Sequence, residues 1–301
     1  MECETLILGA GAAGLFAAAH AGPGVIVVDH AAAPGEKIRI SGGGRCNFTN
    51  LRTGPANFIS ENPHFAKSAL SRYGPRDFLA LVEAHGIAWH EKTLGQLFCD
   101  GSAKQIVAML TGMAQAAGAE VWLRSTIGEI GHDGARYRVA LAREGRDVVV
   151  FARNLVVATG GKSIPKMGAT GIGYRIAEQF GLRVTETRAG LVPFTFDGGF
   201  ADLAGVALEV VAEAGGARFR EAMLFTHRGL SGPAMLQVSS YWHEGEAVRV
   251  DLCPGQDVAD LLRTARGTQG KKALKTVLSG LLPARVADVF APDLGGARQM
   301  G

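Results

Sequence analysis

The apolar positions of the chain alternate between two rhythms. Leu6, Ile7 and Leu8 form a short continuous run, the pattern of a strand buried on both faces, and Ala12 to Ala21 follows as an alanine-rich helical stretch. A second run, Val25 to Val28, reads as the next parallel strand. Between Pro63 and Gly86 the spacing turns helical, broken at Gly74-Pro75, where Pro75 suits a first helical turn. Ile87 to Glu91 and Gln96 to Phe98 are expected as short strands around a turn. Ser102 is expected to cap a helix ending near Ala117, before Gly118. Glu120 to Leu123 predicts another strand, leading into Ser125 to Ile127. Three short strands, separated by turn signals at 132–134 and 144–145, then read as an antiparallel meander, and Asn154 to Ala158 re-enters an apolar strand. From 191 onward, β-type runs at 208–211 and 248–252 give way to a helical pattern over 257–290.

This order predicts an α/β fold: a Rossmann-type domain with a β-meander over 1–190, an inserted β-rich domain with a small helical part over 191–291, and a tail over 292–301. A plain NAD dehydrogenase half continues β-α-β-α-β. A meander that returns to the sheet at Ala158-Thr-Gly-Gly161 is instead the layout of proteins that hold FAD along the sheet edge.

Composition narrows the classes. The 301 residues are 47% hydrophobic, ample for a core, and 42 glycines suit many tight turns. A net charge of +3, with no Lys/Arg run and a small basic spot at Lys271, Lys272 and Lys275 read as a solvated helix face, predicts no nucleic-acid partner. Cys3, Cys46, Cys99 and Cys253 are scattered without a C-x-x-C pair, so neither a metal site nor a disulfide framework is expected. No apolar run approaches the length of a membrane span and no basic leader precedes the first strand, so a cytoplasmic protein without a membrane partner is expected.

The first strand runs directly into Gly9-Ala-Gly-Ala-Ala-Gly14, and the second ends in Asp29, about 20 residues after Gly9. In a strand–turn–helix unit Gly9 makes the tight turn, Gly11 lets backbone approach a pyrophosphate, and Gly14 lets the helix pack on the strand. The amides of Ala12 and Ala13 open the helix and offer unpaired N–H groups to phosphate. Asp29 would accept hydrogen bonds from ribose hydroxyls and repel a 2′-phosphate. An adenine dinucleotide is the expected ligand.

Four further stretches carry candidate chemistry. Lys37 to Asn47 sets Ser41, three glycines (Gly42, Gly43, Gly44), Arg45, Cys46 and Asn47 just beyond the second strand. There they offer amides and a cation to a pyrophosphate or a flavin ring, or else form an ordinary loop with a surface arginine. Cys46 lacks the nearby partner of a dithiol centre, the fourth residue on being Asn50, and reads as a packed thiol near the cofactor. Thr159, Gly160 and Gly161 at a strand end allow close approach of a ligand, while Thr170 to Gly173 reads equally as a ligand-facing turn or as a threonine N-cap. His227 and Arg228 are the polar groups the second domain offers a substrate, with a structural histidine as the alternative.

The segments GAGAAG at 9–14, ISGGGRCN at 40–47, LVVATGGKSIPKMGATGIGY at 155–174 and MLFTHRGLSGPAMLQVSSYW at 223–242 span most of the chain. Together they resemble the bacterial NAD(P)/FAD-dependent oxidoreductases that include aminoacetone oxidase-like and bile-acid reductase-like flavoproteins. The resemblance implies an FAD-binding Rossmann-type domain with an inserted β-rich domain. It implies cofactor contacts at Gly9 to Gly14, Asp29, Lys37, Ser41 to Asn47 and Thr159 to Gly161, with Ile127 meeting the adenine through its backbone. Members of that family continue past the helical part to a returning strand and helix that meet the flavin ring. The chain is therefore expected to be a C-terminally truncated member with an exposed sheet edge.

The expected function is that of an FAD-dependent oxidoreductase acting on a small molecule. Its flavin would be reduced by NAD(P)H, bound transiently because no second G-x-G-x-x-G unit exists, or by a small organic substrate. Arg45 would hold anionic groups near the flavin and His227 would move a proton. The alternatives are a non-catalytic FAD- or nucleotide-binding scaffold, an inactive truncated flavoenzyme, and a methyltransferase, against which the meander and the Ala-Thr-Gly-Gly return speak; nucleic-acid modification by a flavoprotein is given little weight because the charge is near neutral.

Overall fold

A computed structural model describes residues 1–198, 200–269 and 273–292. Lys271, Lys272 and the tail from 293 lie outside the described residues. In chain order the strands are β1 (Glu2–Leu8), β2 (Val25–Val28), β3 (Asn47–Asn50), β4 (Trp89–Glu91), β5 (Gln96–Cys99), β6 (Glu120–Trp122), β7 (Ser125–His132), β8 (Tyr137–Arg143), β9 (Arg146–Val157), β10 (Phe194–Thr195), β11 (Ala207–Ala214), β12 (Ala217–Thr226), β13 (Gly229–Ser231) and β14 (Arg249–Asp251). The helices are α1 (Ala12–Ala18), α2 (Glu36–Ile40), α3 (Lys67–Arg72), α4 (Pro75–Ala84), α5 (Lys104–Ala116), α6 (Ile172–Gln179), α7 (Pro233–Ser239), α8 (Val258–Gln269), α9 (Leu274–Leu278) and α10 (Ala284–Phe290). The chain divides between Thr185 and Glu186 into two compact units.

In the first unit one sheet runs β6-β2-β1-β9-β8-β7. β1 lies parallel to β2 and β9, and β2 parallel to β6, whereas β7, β8 and β9 form an antiparallel meander. Leu6, Ile7 and Leu8 are fully buried because both faces of β1 are covered. On one face Ile7, Val25 and Val27 meet Leu15, Ile106 and Leu110 of α1 and α5. On the other, Leu6, Leu8, Ile26 and Val28 meet Trp122, Val139, Val150 and Ile176. Each such side chain contributes about 1.5–3 kcal/mol of burial, which is why the unbroken apolar runs fix the centre of the sheet.

The sequence reading divides 146–158 into a last meander strand and a returning strand; the structure has one strand of 12 residues. Arg146 to Ala152 of β9 pairs with β8, and Phe151 to Val157 pairs with β1. The polar pair Arg153-Asn154 interrupts the apolar pattern without turning the backbone, and the Asn154 amide donates to the Glu4 carbonyl at 3.3 Å. Beyond Ala152, β9 is paired on one side only among the described residues, and Val157 on that stretch is 43% exposed. The start of α5 follows the sequence closely. Lys104 N donates to Ser102 Oγ and Ser102 N donates to Gln105 Oε1, both at 3.2 Å, a reciprocal cap. A small sheet, β3-β5-β4, completes the unit.

The second unit is an antiparallel sheet in the order β10-β13-β12-β11-β14. Val210, Ala212, Met223 and Phe225 of its inner face pack with Ala234, Met235 and Val238 of α7 and with Val286 of α10. The helical pattern over 257–290 resolves into α8, α9 and α10. α7 is not among the elements expected from the sequence, although Pro233 stands at its first turn, where a missing N–H costs nothing. No helix among the described residues is long and apolar enough to cross a membrane, and no cluster of His, Cys, Asp or Glu among them could hold a metal ion.

Candidate nucleotide-binding cleft

The C-terminal ends of β1, β2 and β9 open into a cavity of about 930 Å³. A second cavity of about 420 Å³ adjoins it. The two share Gly9, Asp29, His30, Thr159 and Gly160, so they form one bent cleft in the first unit. A cleft outside the carboxyl ends of parallel strands is where open α/β sheets bind ligands.

The three glycines of the first turn have separable jobs. Gly9 has φ +110°, and a Cβ there would stand 2.4 Å from the Ala158 carbonyl oxygen, so only glycine fits where β1 passes β9. A Cβ on Gly14 would stand 1.8 Å from the Gly9 carbonyl oxygen, which sets how closely α1 lies on the turn. Gly11 differs: no atom lies within 4 Å of its Cβ position, and the residue lines the larger cavity. It is the N-cap of α1 without a side-chain cap. The open space above it is thus faced by the unpaired first-turn amides of a helix, the arrangement that receives a phosphate. Ala12 and Ala13 line the same space.

Asp29 sits at the centre of the cleft and ties its two sides together. Its Oδ2 accepts from Ala10 N at 2.7 Å and its Oδ1 from Ala31 N at 2.8 Å. Each carboxylate oxygen keeps a lone pair for a further donor, so the residue both fixes the glycine turn and presents an acceptor to both cavities. His30 lies beside it, Nδ1 3.3 Å from Oδ1, and lines both cavities too. No local sequence pattern marks His30. Lys37 reaches across the larger cavity from α2 and donates to Ser163 Oγ at 3.1 Å.

The remaining candidates separate. Ser41, Cys46 and Asn47 line the larger cavity with Thr159 and Gly160, while Ile127 lines the smaller one. Gly161 adjoins them, its carbonyl facing Lys37 Nζ at 3.5 Å. Gly42, Gly43, Gly44 and Arg45 fall outside the lining of both cavities. The Gly44 carbonyl accepts from Ala103 N and the Arg45 carbonyl from Cys99 N, so this loop is anchored by its backbone while the Arg45 side chain is exposed. The N-cap of α6 is Gly171 rather than Thr170, whose carbonyl accepts from Arg175; Thr170 and Gly171 line the smaller cavity. His227 and Arg228 form the exposed tip of the β12–β13 hairpin in the second unit. The apolar lobe of the larger cavity, including Phe16, Leu70, Tyr73 and Phe78, was not foreseen, because helices remote in sequence build it.

Cys46 and Cys99 are buried near one another, and burial pushes the Cys46 thiol up and the Cys99 thiol up to about 11. Cys3 is raised to about 11 and Cys253 is raised as well, chiefly by burial. All four stay protonated at neutral pH, so thiolate chemistry has no nucleophile here. At pH 8 a disulfide-exchange reagent is expected to label none of the four rapidly in the folded protein and all four in denaturant. One fast-reacting native thiol would contradict this.

FAD fits the residues present. The open position at Gly11 sits before a helix start, an acid stands at the end of β2, and the cleft extends both toward Ile127 and into an apolar lobe. Over 293 residues the chain is 48% identical to the ribosomal RNA dihydrouridine synthase of Escherichia coli, covering 95% of this chain and 72% of that one. It is 27% identical over 315 residues to the 3-dehydro-bile acid delta(4,6)-reductase of Clostridium scindens, covering 93% and 72%. Among solved structures, a 3-ketosteroid-delta4-(5alpha)-dehydrogenase from Rhodococcus jostii matches with a TM-score of 0.42 at 17% identity, over 54% of this chain and 46% of that one. The HI0933-like protein Rossmann domain matches residues 3–286, and the chain belongs to that family.

Proposed function

We propose that the chain is an FAD-dependent reductase that saturates the 5,6 double bond of a uridine in ribosomal RNA, with NAD(P)H as the source of electrons. The cofactor assignment rests on the cleft: an unobstructed Gly11 before the start of α1, joined through Asp29 to a second cavity beside Ile127. The substrate class rests on the 48% identity, across 95% of the chain, to a protein named for that reaction. The 27% identical relative is also named as a reductase of carbon–carbon double bonds. RNA as substrate departs from the expectation of a small-molecule substrate and no nucleic-acid partner; the net charge of +3 behind the latter is a sum over the whole chain that is silent about local surfaces.

Bound FAD would supply a hydride, and the uracil ring takes it together with a proton. The protein's own residues hold the cofactor. First-turn amides of α1 face the pyrophosphate, Asp29 accepts from ribose, and Lys37 brings a cation to the same wall. No second dinucleotide motif exists, so nicotinamide binds transiently.

The test incubates the purified chain, FAD and NADPH or NADH with ribosomal RNA lacking the modification, under nitrogen. The digested RNA is then read by mass spectrometry. A uridine that gains two hydrogens, dependent on both FAD and nicotinamide, is the expected result. Flavin that is reduced by nicotinamide and stays reduced under nitrogen, leaving the RNA unchanged, would reject this function.

A further inference from the structure

The second unit exposes apolar side chains on either side of the edge strand β10. Leu191 is 65% exposed and Phe196 47% exposed. Leu191 also has φ +56°, a backbone conformation that costs a branched side chain about 1–2 kcal/mol. It is held there deliberately: Leu191 N donates to Ser240 Oγ at 3.1 Å and Val192 N to Ser239 Oγ at 3.0 Å. Strain maintained by two side-chain hydrogen bonds in order to expose an apolar residue points to a use for that surface.

Phe196 is fixed as firmly. Its ring meets Phe200 edge-on with centroids 5.6 Å apart, and Phe200 meets the buried Phe225 at 5.5 Å. Three linked rings hold the outermost one in place with part of its surface in water. Phe196 N donates to the Arg228 carbonyl at 3.0 Å, which brings the His227–Arg228 hairpin tip beside it. Both side chains at the tip are exposed, and neither makes a hydrogen bond or ion pair among the described residues.

We propose that this edge of the second unit, with Phe196 as the stacking ring and Arg228 as the phosphate contact, binds single-stranded RNA. An aromatic ring held by its neighbours, with an exposed arginine on the backbone paired to it, is the chemistry that receives an unstacked base and its phosphate. Asp197 follows Phe196, so the net local charge is small, and stacking rather than bulk charge carries the contact. The assignment rests on the ribosomal RNA reading above.

The test measures binding of a short fluorescein-labelled, uridine-rich single-stranded RNA to the full chain by anisotropy across a salt series. Phe196→Ala is expected to weaken binding about tenfold or more, and Phe196→Tyr to retain it. Arg228→Ala is expected to weaken binding and lower the salt slope by about 0.7. Flavin content serves as the control and should not change. Should Phe196→Ala fail to fold, Arg228→Glu at the exposed tip carries the same test. Unaltered binding in these variants, or no RNA binding by the parent chain, overturns the assignment. So does a variant that loses self-association in sedimentation while RNA binding stays constant. Dihydrouridine formation, measured in parallel, separates the two claims. Phe196-dependent RNA binding without uridine reduction supports this surface and rejects the reductase reading. Uridine reduction with Phe196-independent binding does the reverse.

Discussion

Gly11→Val is expected to yield a folded chain that no longer takes up FAD. The position has φ −84° and ψ −168°, which any residue adopts, and no atom stands within 4 Å of the added Cβ. The valine's Cβ therefore meets no protein atom, and unfolding free energy should fall by no more than about 2 kcal/mol, the cost of losing a favourable N-cap residue. Its methyl groups instead occupy the space in front of the first-turn amides of α1, where a pyrophosphate must come within hydrogen-bond distance. Flavin affinity should fall by about 100-fold or more, since both the phosphate contacts and the approach of the chain are lost. Equilibrium dialysis against FAD, paired with urea unfolding, reads the two effects separately. Normal flavin content in this variant would remove the cradle assignment.

Gly14→Ala is expected to fail in the opposite way. Its Cβ would stand 1.8 Å from the Gly9 carbonyl oxygen and 3.4 Å from Ile7 Cγ2, and the first of these neighbours is backbone that cannot rotate aside. α1 would have to lift away from β1, opening the packing around Leu15 and Ala18, both fully buried. A loss of about 3 kcal/mol or more is expected, enough to unfold a marginal domain. The variant should show a lower urea midpoint or accumulate as insoluble protein. A midpoint equal to the parent would mean that the turn is looser than the structure has it. Two glycines three residues apart, one with open cavity at its Cβ position and one packed on backbone, thus separate binding from stability.

The first unit was legible because its signals are local. An apolar run too short for a helix, ended by a glycine turn and followed by an alanine-rich stretch, admits few structures, and β1, α1 and β2 sit where that pattern places them. The cap at Ser102 was likewise legible from its own neighbourhood, and the structure adds Gln105 as its reciprocal partner. What escaped was assembled from distance. β9 joins two partners of opposite direction, a fact about β1 and β8 rather than about residues 146–157. His30 has no motif, and it matters only because the loop around Gly168 and the end of β2 converge on it. The apolar lobe around Phe16, Leu70, Tyr73 and Phe78 draws on α1, α3 and α4, so no window of sequence contains it. The glycine triple at 42–44 shapes a backbone-anchored turn in the structure, while the flanking Ser41, Cys46 and Asn47 line the cavity.

The central claim is that this chain's own cleft holds FAD. The direct measurement is a titration of the purified protein with FAD, followed by quenching of flavin fluorescence and by the visible spectrum. Saturation at one flavin per chain, with a structured and shifted absorption band that Gly11→Val lacks, is the predicted result. A chain that folds normally yet leaves the fluorescence and spectrum of added FAD unchanged would contradict the account.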